Sequence, residues 1–197
     1  MKYLIRQNTY LTSRYIGKLA VAKYYKENKL SSIELQSGIF GQPIVKYMTT
    51  EVIDISLSHN ESWACAVAFP ATHPLGIDLE TMKKDTIVTM QSQCTMEEIE
   101  LVLTQQRDED VFYTVIWTAK EALSKIIRCG LLIPFSLLEI DVFLDKEDSF
   151  IGVRFKNFPQ YQAYSLVMGS QVLSIVFPKK TVLEVSSKAI KNLFCCE

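Results

Sequence analysis

The chain lacks an excess of charge of either sign. Its 197 residues carry 21 basic and 22 acidic side chains, for a net charge of −1. No overall field therefore draws it to nucleic acid or to an anionic membrane. A surface that holds phosphate has to be a local cluster. Long apolar runs are missing too. No stretch approaches the ~20 apolar residues of a membrane span, and Met1-Lys2-Tyr3-Leu4-Ile5-Arg6 has no run of the signal-peptide kind. The five cysteines, Cys65, Cys94, Cys129, Cys195 and Cys196, contain no CxxC pair, which argues against a zinc site. An odd, scattered set fits a reducing compartment better than a disulfide scaffold. In Cys195-Cys196-Glu197 the spacing is wrong for a prenylation box. These absences predict a cytoplasmic protein with neither nucleic acid nor membrane as a partner.

What is present is an ordinary globular mixture, 48% hydrophobic and 22% charged. The length allows one large domain or two small ones, since domains commonly run to about 100–150 residues. The first helix signal runs over 12–28, with Thr12 or Ser13 as cap and Ile16, Leu19, Ala20 and Tyr24 at helical spacing. Gly38 and Gly41-Gln42-Pro43 mark loops. Strands are predicted over 52–58, 63–69 and 76–80, and 82–93 reads as a connector. A short helix starts near Thr95 and a longer one spans 109–128, with Gly130 at its C-terminal stop. Strand signals follow at 138–144, 150–155, 161–168 and 172–177, the last two joined by a Gly169-Ser170 turn. The tail from Lys179 reads as a short amphipathic helix with Val182, Val185, Ala189 and Leu193 on its apolar side. Each half is thus a main helix with strands, which predicts an α+β pseudo-duplication divided into 1–84 and 85–197.

Four local features can carry chemistry, and each has a plainer explanation. In Gly76-Ile77-Asp78-Leu79-Glu80 the strand period of two puts both carboxylates on one face. At about 7 Å apart they can share a hard cation such as Mg²⁺ through oxygen, or simply face solvent. In Trp117-Thr118-Ala119-Lys120-Glu121-Ala122-Leu123-Ser124-Lys125, residues 117, 121 and 125 lie on one helix stripe. Glu121 and Lys125 fit a surface ion pair, but a tryptophan on the same stripe favours the wall of a cleft. Ser58-His59 ends a strand, where the histidine can bond a phosphate or stand idle. Thr95-Met96-Glu97-Glu98 is a capping box, which explains Glu98 structurally and leaves function as an addition.

Together, GIDLE at 76–80 and WTAKEALSK at 117–125 resemble the paired signature of the 4'-phosphopantetheinyl transferase superfamily, G-[IV]-D-x-E and W-x-x-K-E-A-x-x-K. Their separation and the upstream Ser58-His59 resemble the surfactin-synthetase-activating (Sfp-like) type, a single chain of two related halves. The resemblance implies a pseudo-duplicated, two-lobed α+β fold, each half a long helix packed on a small antiparallel sheet. It implies transfer of the 4'-phosphopantetheine arm of coenzyme A to a serine of an acyl or peptidyl carrier protein, Mg²⁺-dependent, releasing 3',5'-ADP, by a monomer. Carried over, Asp78, Glu80 and Glu121 hold the Mg²⁺, and Lys125 neutralises the phosphate under attack. Arg14, Ser58, His59 and Lys120 join Lys125 in binding coenzyme A. Glu121 is the first candidate for the general base and Glu98 the second, because a carboxylate bound to Mg²⁺ is a weaker base.

The sequence departs from the pattern at Gln42, where the family usually has a lysine that touches the coenzyme A phosphates, and at Asn60, where serine or threonine is common. Lys46 is a possible substitute for the missing charge. Two other functions stay open. One is a non-catalytic coenzyme A or carrier-protein binding module, the other a Mg²⁺-dependent hydrolase of pyrophosphate bonds.

Overall fold

Residues 2–11 contain neither glycine nor proline, so nothing stops a helix there. The computed structural model, which describes residues 2–194 apart from 40, 49, 50, 107 and 146–148, accordingly starts α1 at Lys2 and runs it to Tyr25. Thr12 and Ser13 are thus interior and cap nothing. Leu19 is exposed as well, because the inward face is set by small residues: Ser13 and Gly17 let the helix sink onto the strands, followed by Val21 and Ala22. Hydrophobic periodicity does not register such a face. Cys195, Cys196 and Glu197 lie outside the described residues.

Two hairpins follow, β1 (Glu34–Ser37) with β2 (Pro43–Lys46) and β3 (Ile53–His59) with β4 (Ala64–Pro70). The loop markers Gly38 and Gly41-Gln42-Pro43 fall at the β1–β2 turn, and the four-residue strands on either side are too short for the sequence to show an alternation. β5 (Gly76–Thr81) is next, then α2 (Lys84–Ser92), α3 (Met96–Leu103) and α4 (Glu109–Ile127). Short 3-10 turns lead into β6 (Ile140–Asp145), β7 (Phe150–Phe155), β8 (Tyr161–Met168) and β9 (Gln171–Pro178), and α5 (Ser187–Phe194) closes the order. The fold is α+β.

The expected connector over 82–93 is a helix instead. Only Ile87 and Met90 are buried, and they gain their stability from packing beside α4 in the main core, not from a pattern along the chain. The stop of α4 differs too. Arg128, at φ 55, takes the left-handed cap position assigned to Gly130, while Gly130 opens a 3-10 turn. Among the described residues of the tail only Ser187–Phe194 is helical, and Val182 and Leu193 are exposed.

The last five strands form one antiparallel sheet in the order β5-β9-β8-β7-β6. β5 pairs with β9 in register, Asp78 opposite Ser174 and Glu80 opposite Val172. The boundary at residue 84 therefore does not separate the sheets, since a strand from 1–84 forms the edge of the sheet in 85–197. The main core fills the space between α4 and this sheet, with Val115, Ile116, Ala119, Leu123, Val153, Ala163 and Val176 fully enclosed. On β5, Ile77 and Leu79 face the opposite side, packing with Leu173, Trp63, Cys65 and Val67. A smaller core joins α1 to the hairpins through Val21, Ile33, Ile53 and Ile55.

Candidate active site

Gly76 brings α4 down onto β5. A methyl group at this position would collide with the backbone carbonyl oxygen of Ala122 on the helix. The close approach puts the carboxylates of β5 beside Glu121 and Lys125, one turn apart on α4. Asp78 is buried, so the solvated-strand explanation does not hold for it. Its Oδ1 accepts from Ser58 Oγ at 2.8 Å and from Lys125 Nζ at 2.8 Å. Its Oδ2 is buried and accepts no hydrogen bond. A carboxylate oxygen left bare inside a protein costs free energy unless some positive partner meets it.

The acidic neighbours feel that charge. Glu80 is pushed up to about 7 by burial first and by the Asp78 carboxylate second, with Glu121 adding to it. Burial and then Asp78 raise Glu121 as well, against the lowering pull of Lys125. Three acids thus share one electrostatic neighbourhood carrying more negative charge than Lys125 offsets. Among the described residues, however, no three histidine, cysteine, aspartate or glutamate side chains form a closed ligand set. The residues fit a hard divalent cation by donor chemistry and by the bare Oδ2. They are not drawn into a coordination shell.

Lys125 does not pair with Glu121 along the helix. It reaches across to β3 and β5, donating to Leu57 O at 3.0 Å, Ile77 O at 2.7 Å and Asp78 Oδ1. The three donors of an ammonium are all used. Ser58 is likewise turned inward: besides donating to Asp78, its hydroxyl accepts from Leu79 N at 3.1 Å. It holds the acid in place and does not line the cleft, contrary to the coenzyme A contact expected of it.

A cleft of about 870 Å³ opens beside this group and shares Lys125 with it. Arg14, Gln42, His59 and Arg128 line its walls. Arg14 donates to Leu35 O at 2.8 Å and to Ser37 Oγ, with its guanidinium 5.1 Å from the ring centre of Tyr10. Arg128 is paired with Asp54 at 2.8 Å. Tyr10, Asp54 and Arg128 belong to no motif, so nothing in the chain marks them in advance. Lys46 is exposed on β2 and does not line the cleft.

Two expected site residues lie elsewhere. Glu98 is fully buried and Lys120 is 1% exposed. Lys120 Nζ donates to Glu98 Oε2 at 2.6 Å and lies 3.4 Å from Gln93 O. The capping box forms, with Glu98 Oε2 accepting from Thr95 N, and Oε1 accepts from Ile140 N at 2.8 Å. Both oxygens are occupied far from solvent, so Glu98 is a structural anchor and not a second general base. Lys120 points into the core and away from the cleft. Trp117 does not wall the cleft either, because Phe135 stacks on it with ring centres 5.0 Å apart.

The model of the 4'-phosphopantetheinyl transferase superfamily matches residues 74–176, more than half of the chain. The chain belongs to the 4'-phosphopantetheinyl transferase superfamily. The match opens just ahead of β5 and ends within β9, so it takes in the acidic strand, α4 and the sheet between them. A curated member of this superfamily, the 4'-phosphopantetheinyl transferase gsp of Aneurinibacillus migulanus, is 28% identical over 131 residues, covering 64% of this chain and 52% of that protein. The chain spans about half the length of the curated relative it matches.

Proposed function

We propose that the protein transfers the 4'-phosphopantetheine group of coenzyme A to a serine hydroxyl of an acyl or peptidyl carrier protein, releasing 3',5'-ADP. The observation that carries this reading is the bare, buried Oδ2 of Asp78 within the superfamily's own acidic motif. Asp78, Glu80 and Glu121 are the residues that hold Mg²⁺, which supplies positive charge where phosphate oxygens gain negative charge. His59 and Arg14 bind the coenzyme A phosphates from the cleft wall, a position both side chains occupy. Lys125 holds the Asp78 side chain and meets the phosphate under attack by exchanging one of its backbone acceptors for it. Glu121 takes the serine proton, since the other candidate, Glu98, is sealed in the core. The serine oxygen bonds to phosphorus as the bond to the 3',5'-ADP oxygen breaks. The two-lobed, pseudo-duplicated form is part of this reading, supported by α1 on β3 and β4 in one half and α4 on β5 and β9 in the other. So is a monomer in the cytoplasm, the compartment that the odd, scattered set of five cysteines fits.

The test is incubation of the protein with coenzyme A, Mg²⁺ and a panel of apo-carrier proteins, read by intact-mass spectrometry. One phosphopantetheine arm gained on a carrier serine is the expected result. Coenzyme A bound with no carrier modified would leave a binding module, and free phosphopantetheine released without a carrier would mark a hydrolase.

A further inference from the structure

β3 and β5 run side by side without a backbone ladder between them. They belong to separate sheets, yet β5 is an edge strand whose outward N–H groups need acceptors. Side chains supply them. Ile77 N donates to Ser56 Oγ at 3.0 Å, and Leu79 N donates to Ser58 Oγ at 3.1 Å. One step further, Asn60 Nδ2 donates to Thr81 Oγ1 at 3.1 Å. The sequence offset is 21 residues at every rung. Ser56 and Ser58 on β3 and Asn60, the residue just past its end, therefore recur with a period of two, and they meet Ile77, Leu79 and Thr81 in parallel register.

Asn60 differs from the other two rungs in what it engages. Its second Nδ2 hydrogen goes to Gln171 Oε1 at 2.6 Å, at the start of β9, and Thr81 Oγ1 donates to the same oxygen at 3.1 Å. Its Oδ1 accepts from Ser62 N at 3.0 Å and Trp63 N at 2.9 Å, closing the β3–β4 turn. Both donors and both lone pairs of the amide are thus in use. A serine or threonine hydroxyl has one donor and cannot tie the turn to two groups across the seam. His59, immediately before Asn60, faces the cleft, while Glu80, immediately before Thr81, belongs to the acidic group.

We infer that Ser56, Ser58 and Asn60 form a side-chain zipper that fixes the two sheets against each other, and that Asn60, through Gln171 and Thr81, is the positioning residue that holds His59 at a set distance from the Asp78 group. This inference rests on the proposed transfer reaction for its kinetic consequence but not for its structural one. A zipper of hydroxyls and one amide is weaker than a ladder and depends on its last rung, so loosening that rung shifts the His59 wall of the cleft and leaves the acids in place.

Gln171→Leu tests this, because it removes the acceptor across the seam and leaves the Asn60 turn bonds intact. The KM for coenzyme A should rise about tenfold with kcat nearly unchanged, as expected when a binding group is moved away from its ligand. Hydrogen exchange in the whole chain should quicken over residues 57–63 and not over α4. A variant with wild-type KM and wild-type exchange overturns the inference. Exchange that quickens throughout the molecule also overturns it, since Gln171 would then serve general stability. If the wild-type protein transfers nothing, the functional reading fails by itself, and the local exchange pattern decides the zipper alone.

Discussion

The helix α4 carries two lysines, each paired with a carboxylate of another element, and the two pairs differ in almost every respect except chemistry. Lys120 and Glu98 sit in the core with side-chain exposures of 1% and 0%, and Lys125 and Asp78 sit at the cleft with 30% and 8%. The inner pair is saturated: both Glu98 oxygens are engaged, by a helix cap, a strand amide and the ammonium. The outer pair leaves Asp78 Oδ2 bare. A closed pair can only hold α3, α4 and β6 together. An open pair retains the capacity to receive a further positive charge, and the difference between anchoring and chemistry lies in one unsatisfied oxygen. Both lysines belong to a single nine-residue motif, which shows how little motif membership says about the task of each letter.

Breaking the inner pair should have the largest effect. Lys120→Met strands the Glu98 charge and should lower stability by about 3–5 kcal/mol, measured by urea denaturation. Adding Glu98→Leu should recover part of this, because an apolar pair of similar volume often replaces a buried ion pair, though the α3 cap and the Ile140 bond stay lost. If Lys120→Met unfolds like the wild type, the inner pair is not an anchor.

For the outer pair the effect should fall on rate and spare the fold. Asp78→Asn keeps an oxygen for Ser58 and Lys125 but removes the charge, and carrier modification should slow by about 10²–10³-fold, as for loss of one group that stabilises developing charge. The denaturation midpoint should stay near that of the wild type. A large loss of stability with little loss of rate would reverse the roles assigned to the two pairs.

The smallest effect concerns Glu80. Its affinity for protons is raised from the ordinary 4.5 to about 7 in the folded chain, so the folded state binds more protons than the unfolded one across that interval. Stability from this source is fully present below about 4.5 and is lost as the pH rises through 7. The metal-free wild type should therefore lose stability relative to Glu80→Gln between pH 5 and 8, the effect being reduced by the partial exposure of Glu80. Mg²⁺ added at pH 8 should restore it in the wild type and fail to in Asp78→Asn. Parallel pH profiles for the wild type and Glu80→Gln would show that the acidic crowding is absent.

Much of the fold was legible because its signals are local. The strands over 150–155 and 161–168, the capping box at Thr95 and the span of α4 each follow from a period or a cap that the chain itself displays. α2 was not legible, since two buried side chains gain their meaning only when α4 lies beside them. The same reason hid the inward face of α1, built on Ser13 and Gly17. At the site, Asp78, Glu80, Glu121 and Lys125 are neighbours, and His59 and Arg14 line the cleft beside them. Spacing alone could not tell Lys120 from Lys125. Five residues of separation turn them to different sides of the helix, and only the packing decides which side is sealed. Ser56 and Asn60 had a visible signal in their alternation with Ser58, but their acceptors and donors come from a strand 21 positions away.

Gly76 has no functional group, yet it fixes how high the helix rides above the strand. Every distance between Glu121 and the β5 acids is inherited from that stand-off, as the gap of a vice is inherited from the thickness of its shim. An alanine there would leave every charged letter of both motifs intact and still spoil their common focus. The glycine of GIDLE is in this sense the part of the signature that makes the rest of it measurable in ångströms.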